Sequence, residues 1–178
     1  MIPIPGIVIA IATFPGVIVH EVGHFFFCKL RHVAVFDVCF FRAGNPAGYV
    51  VHERTEDFTT LFLIEIGPFI VNSVLCVVFC FPALIPLRIF GHGDPLSYFW
   101  IWLGVSIGMH AFPSIQDAGN LREGAQKAAM TGNVLALVSF PLVALIYAAN
   151  LLSFFWADTL YGLAIGIGLP ELILRKVF

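Results

Sequence analysis

The sequence predicts an all-α polytopic membrane protein of about five transmembrane helices with a small interfacial β-hairpin, and three observations predict it. Sixty per cent of the 178 residues are apolar and only 11% are charged. Mean hydropathy is +0.96. The apolar residues gather into runs near the roughly 20 residues that one helical crossing needs. Water-soluble domains run nearer 45–50% apolar and about 25% charged, so nine basic and eleven acidic side chains cannot coat a soluble globule of this length. A net charge of −2 with no basic stripe excludes a nucleic-acid binder, and the apolar content excludes disorder. The expected organisation is a single membrane-embedded domain over 1–178, with a core over about 6–120 and additional helices over about 133–173.

Taken in order, the first apolar run places a helix at about Gly6 to Cys28. The stretch from Met1 to Ala12 has no basic segment and no small-residue cleavage site before the apolar run continues, so it reads as a retained helix. A second helix is expected at about Thr59 to Leu87, long enough to need tilt or a break near Pro82. The third runs from about Leu96 to Phe112, the fourth from Asn133 to Ser153 and the fifth from Trp156 to Ile173, with a hinge between the last two. Gly104 with Gly108, and Gly162 with Gly166, are small-xxx-small pairs that let helices approach closely.

Between the first two helices, Val33 to Phe41 is rich in Val and Phe, Ala43 to Gly48 supplies turn residues, and Tyr49 to Val51 is again β-prone. This is the interfacial hairpin. Cys28, Cys39, Cys76 and Cys80 form no CxxC pair and read as packed, reduced thiols.

Cytoplasmic loops near helix ends are enriched in Lys and Arg. Five alternating helices put Lys29, Arg31, Arg42, Arg54, Arg122, Lys127, Arg175 and Lys176 on one face and leave only Arg88 on the other. The orientation that follows is an integral protein of the cell membrane with its N-terminus outside and its C-terminus cytoplasmic.

His20-Glu21-Val22-Gly23-His24 is an HExxH sequence. Histidines four apart share one helix face, which suits two imidazole nitrogens on one Zn²⁺ at about 2.0–2.1 Å. The intervening Glu can take a proton from an attacking water and pass it to the leaving amine. Three ionisable groups in an apolar helix are costly without a purpose. Catalytic zinc usually takes three protein ligands, and Glu65, His110 and Asp117 are the candidates for the third.

These residues resemble the site-2 protease family of intramembrane zinc metalloproteases. The resemblance rests on His20-Glu21-x-x-His24 in a transmembrane helix, on Gly67-Pro68-x-x-x-Asn72 in the next, which looks like that family's GPxxN-type element with one residue more, and on the Pro113-containing segment leading to Asp117. It implies Zn²⁺ held by His20, His24 and Asp117, Glu21 as general base, and Asn72 as a residue that helps hold the substrate backbone. Depth favours the same third ligand. The end of the third helix brings Asp117 to the leaflet of the histidines, and the break at Pro113 frees the backbone to turn the carboxylate inward. His110 is expected about 10 Å deeper.

The expected function is cleavage of peptide bonds in or near transmembrane segments of membrane proteins, with the lipid bilayer as the other partner. The hairpin edge could take up an unwound substrate strand, because unpaired backbone groups in lipid cost several kcal/mol each. The competing expectation is a non-proteolytic metal-binding membrane protein, such as a transporter, chaperone or structural subunit. Glu21 separates the two, since a metal carrier needs no base between its ligands.

Overall fold

The computed structural model describes residues 6–177; the Met1–Pro5 portion of the expected N-terminal helix lies outside them. The chain is mostly helical. In order it forms α1 (Gly6–Ala12), α2 (Phe14–Leu30), β1 (Val35–Cys39), β2 (Tyr49–His52), α3 (Phe58–Arg88), α4 (Pro95–Met109), α5 (Ile115–Ala129), α6 (Val134–Ser153), α7 (Ala157–Leu163), a π-helical segment (Ala164–Gly168) and α8 (Leu169–Val177). Three helical segments are long and apolar enough to cross a membrane, namely α3, α6 and Ala157–Lys176, and α1 with α2 makes a fourth if that bent pair is one span.

The first expected helix is two. α1 and α2 meet at Thr13 with a bend of 86°. Pro15 lacks the N–H that a continuous helix would use, and it is tolerated in the first turn of α2, where that donor has no partner anyway. The Thr13 hydroxyl then donates to the Ile9 carbonyl at 2.7 Å and closes the end of α1.

α3 runs unbroken for 31 residues through Pro68, Pro82 and Pro86, so of the two expected accommodations, tilt or a break near Pro82, the break is absent. At about 46 Å it exceeds the roughly 30 Å hydrocarbon layer. Asp57 starts it by accepting from the Thr59 and Thr60 N–H groups. The Thr60 hydroxyl bonds the same carboxyl and, with those N–H groups and Arg31, holds it below the usual carboxylate range.

α4 spans only 15 residues, about 22 Å. Pro113 disfavours helix at the residue before it, so α4 stops short of the expected Phe112. The stretch after it, expected to be a loop, folds as α5. Ala118, Leu121 and Ala125 are fully buried, a helical spacing that turns one stripe toward Phe58 and Leu61 of α3. Arg122, Glu123 and Lys127 face outward. A Cβ at Gly124 would fall 2.2 Å from a Leu61 methyl, so the close approach of α5 to α3 requires glycine there.

α6 runs antiparallel to α5, with the Asn150 amide donating to the Pro113 carbonyl at 2.9 Å. Trp156 takes a left-handed conformation at φ 66°, and the chain turns there without reversing. Tyr161 meets the Ser73 hydroxyl at 2.7 Å, Cys76 lies 3.7 Å from the Gly162 carbonyl, and Glu171 pairs with Arg88 at 3.3 Å. The last helical segments therefore climb parallel to α3.

That order corrects the alternating five-helix arrangement. Arg175 and Lys176 lie at the Arg88 end of the bundle, opposite Lys29, Arg31 and Arg54, because the chain keeps its direction through the expected hinge at the α6–α7 junction, where alternating helices required a reversal. Introduced cysteines at Gly91 and Lys176 should be labelled from one side of the membrane and one at Arg54 from the other. Labelling of Gly91 and Lys176 from opposite sides would restore the alternating arrangement.

β1 and β2 pair antiparallel, with Val38 opposite Val50 and Cys39 opposite Tyr49 and an irregularity between Val35 and Asp37. The hairpin climbs along α2: Phe40 packs on Phe25 at 5.9 Å and Phe41 on Phe14 at 5.8 Å between ring centroids. It is thus packed on the bundle, and its turn reaches the residues described next.

Candidate metal centre

One helical turn of α2 places the His20 and His24 side chains on the same buried face, with their Nε2 atoms 3.2 Å apart. The first turn of α5 brings Asp117 to both, its Oδ2 lying 3.9 Å from His20 Nε2 and 3.7 Å from His24 Nε2. A triangle with these sides has a circumradius of about 2.1 Å, close to the zinc–nitrogen and zinc–carboxylate distances of about 2.0–2.2 Å. A tetrahedral ion wants donors about 3.3 Å apart, so the two histidines already have that spacing and the carboxylate is slightly open. Among the described residues, His20, His24 and Asp117 form the one cluster that could hold a metal ion.

The hydrogen bonds around the rings favour a cation. His20 Nδ1 lies 2.8 Å from the His110 carbonyl and His24 Nδ1 lies 2.9 Å from the Ile64 carbonyl. A carbonyl only accepts, so both Nδ1 atoms carry the proton and the two Nε2 lone pairs of the neutral rings confront each other. A proton or a metal ion between them removes that repulsion. Backbone carbonyls in this outer position are what orient metal-bound imidazoles in general.

Asp117 is held by its own helix start. The Ser114 N–H donates to Asp117 Oδ2 at 2.7 Å, and the Asp117 N–H donates to the Ser114 hydroxyl at 3.2 Å, a reciprocal cap. The carboxylate is therefore presented by the first turn of a helix, and not by the free backbone that the Pro113 break suggested.

A cleft of about 340 Å³ opens onto these groups and is lined also by Glu21, Glu65, Asn120 and the hairpin residues from Pro46 to Val50. Gly48 lies directly against the Glu21 side chain: a Cβ there would be 2.6 Å from Glu21 Cγ and 3.1 Å from Glu21 Oε1. Gly48→Val should displace the Glu21 carboxylate while leaving the donor triangle intact. In a structure of the variant the Glu21 carboxylate should leave its place against the hairpin turn, with metal content unchanged in the same preparation; a Glu21 side chain that stays put would mean that the turn does not hold it.

The other sequence candidates sit differently. Glu65 is buried on the cleft wall and accepts from the Asn120 amide at 3.0 Å; it is outside the donor cluster. His110 places its ring at the level of Thr13 and Gly16, beyond His20 along α2, and outside the donor cluster as expected. Its ring turns away, with Nε2 2.7 Å from the Thr13 hydroxyl, and only its carbonyl touches the site. Asn72, expected to meet substrate, is fully buried and absent from the cleft wall. Its amide nitrogen lies 3.3, 3.1 and 3.0 Å from the carbonyls of Gly16, Ile107 and His110. Asn72 thus joins three helices and reaches the site only through the carbonyl that orients His20.

Asn120, Gly48 and Thr13 were not singled out by sequence. Asn120 stands three residues after Asp117 and so shares its helix face, a signal that becomes readable once α5 is recognised. Gly48 and Thr13 matter through long-range contacts that no local pattern announces. No protein-family model, curated protein or solved structure matches the chain.

Proposed function

We propose that this chain is an intramembrane zinc metalloprotease of the site-2 protease type, cleaving peptide bonds in or near transmembrane segments of membrane proteins. The observation that carries the reading is the donor triangle of His20, His24 and Asp117 with Glu21 beside it on a cleft wall. A metal carrier would use the triangle and have no need of Glu21.

Zn²⁺ held by the three donors would supply Lewis acidity toward the scissile carbonyl and lower the pKa of water toward 7. Glu21 accepts the proton of the attacking water and delivers it to the leaving amine nitrogen. The Ile64 and His110 carbonyls keep both imidazoles pointing inward through the cycle. Glu65 and Asn120 line the entry to the same space. The β2 strand and its turn border the cleft, so an unwound substrate segment could add to the β2 edge and satisfy its backbone groups away from lipid.

Of the basic residues, Lys29, Arg31, Arg54, Arg122 and Lys127 gather at the α2–α3 end, against Arg88, Arg175 and Lys176 at the other. The excess assigns the α2–α3 end to the cytoplasm of the cell membrane and the start of α2 to the outside. The C-terminus then falls outside as well.

The test is cleavage of transmembrane peptides by the purified protein in detergent. Activity should disappear with a zinc chelator and return with added Zn²⁺. A fully metal-loaded protein that cleaves no member of a broad peptide panel would favour the carrier reading.

A further inference from the structure

Pro68 lies inside α3. In a continuous helix the N–H of residue 68 would bond the carbonyl of Ile64, four residues earlier. Proline has no such N–H, and its ring pushes the carbonyl at that position off the helix axis. The Ile64 carbonyl is therefore released from its own helix, and it is the atom 2.9 Å from His24 Nδ1. The neighbouring packing points the same way. α2 and α3 touch at this level, where a Cβ on Gly23 would sit 3.1 Å from Pro68 Cα, and a Cβ on Gly67 would sit 2.0 Å from the Phe27 ring. Residue Ile64 is fully buried, so water cannot replace the missing donor and the freed carbonyl must find a partner inside the protein.

We infer that Pro68 is a positioning residue for the metal centre: by withholding an N–H from the Ile64 carbonyl, it reserves that carbonyl for His24 and so fixes the tautomer and direction of a metal-ligating ring. The inference rests on the metalloprotease reading above. It gives Pro68 an effect on metal binding opposite in sign to its effect on the helix. Proline disfavours a helix interior more than any other residue, while the buried Pro68 ring packs on Gly23, so a purely structural account of Pro68→Ala moves only the melting temperature. The positioning account adds that the restored N–H draws the Ile64 carbonyl back to the helix axis and loosens His24.

The experiment is metal binding by the full chain in detergent, using Zn²⁺ in competition with a chelator, and Co²⁺ whose visible spectrum reports the geometry of the centre. Thermal melting of the metal-free protein is recorded alongside. Pro68→Ala should bind Zn²⁺ about 10- to 100-fold more weakly, the range typical of outer-shell changes at metal sites. It should also change the Co²⁺ spectrum, whichever way melting moves. Pro68→Ser, which restores the same N–H, should behave alike. Pro82→Ala, the same replacement in α3 far from the histidines, should leave Zn²⁺ affinity and spectrum at wild-type values. Affinity within about 2-fold of wild type and an unaltered spectrum in both Pro68 variants would overturn the inference, and so would an equal loss in Pro82→Ala. A wild-type protein that takes up neither ion would overturn the metal centre itself together with this inference, and that failure would be visible before any variant is made.

Discussion

Glu21→Gln should retain bound metal and lose turnover by about 10²- to 10⁴-fold, the span usual for removing a general acid–base group. Gln keeps the shape that packs under Gly48, so the contact between the hairpin turn and α2 survives. What disappears is the carboxylate that, in the proposed mechanism, accepts a proton from water and returns it to the leaving nitrogen. The measurement is the initial rate of peptide cleavage at equal metal content. A rate within a few-fold of wild type would remove Glu21 from the chemistry.

Loss of a ligand should act on the metal first. His20→Ala, His24→Ala and Asp117→Asn each leave an incomplete donor set and should lose most bound Zn²⁺ together with all activity, as read by metal analysis of the purified variants. Asp117→Asn is the sharpest of the three, because the amide keeps the size of the side chain while removing the charge that offsets a dication in a low-dielectric site. His110→Ala and Glu65→Gln should keep their metal. The His110 backbone carbonyl, which is what His20 uses, is untouched by removal of the ring, and Glu65 bonds Asn120 outside the donor triangle. Full occupancy in either histidine variant would place the site elsewhere.

Much of this was legible in the sequence, and the reasons differ by element. The spacing of His20 and His24 is a local fact, since a helix turn alone brings them together. The hairpin was legible because its turn residues separate two β-prone runs. α5 was not, because a search for membrane-length apolar runs passes over a short amphipathic helix whose buried stripe is Ala118, Leu121 and Ala125. The His110 ring was rightly kept out of the donor set, but the use of its carbonyl by His20 was not legible, because a backbone atom freed at the end of a helix leaves no mark in the sequence. The side of the C-terminus depended on Trp156, whose left-handed turn lets α6 and the last helices run the same way. Helix counting assumes a reversal at every break. Asn72 shows that a polar group in an apolar helix can serve packing and site at once, bonding carbonyls from α2 and from the end of α4.

The central claim is that His20, His24 and Asp117 together hold a zinc ion. The most direct measurement is the position of that ion in an experimental structure of the zinc-loaded protein, located by its anomalous scattering. The account predicts one zinc bonded to Nε2 of His20 and of His24 and to a carboxylate oxygen of Asp117 at about 2.0–2.2 Å, with the Ile64 and His110 carbonyls still on the two Nδ1 atoms. A zinc bound by His110 or Glu65 in place of Asp117, or one found away from the α2 histidines, would contradict it.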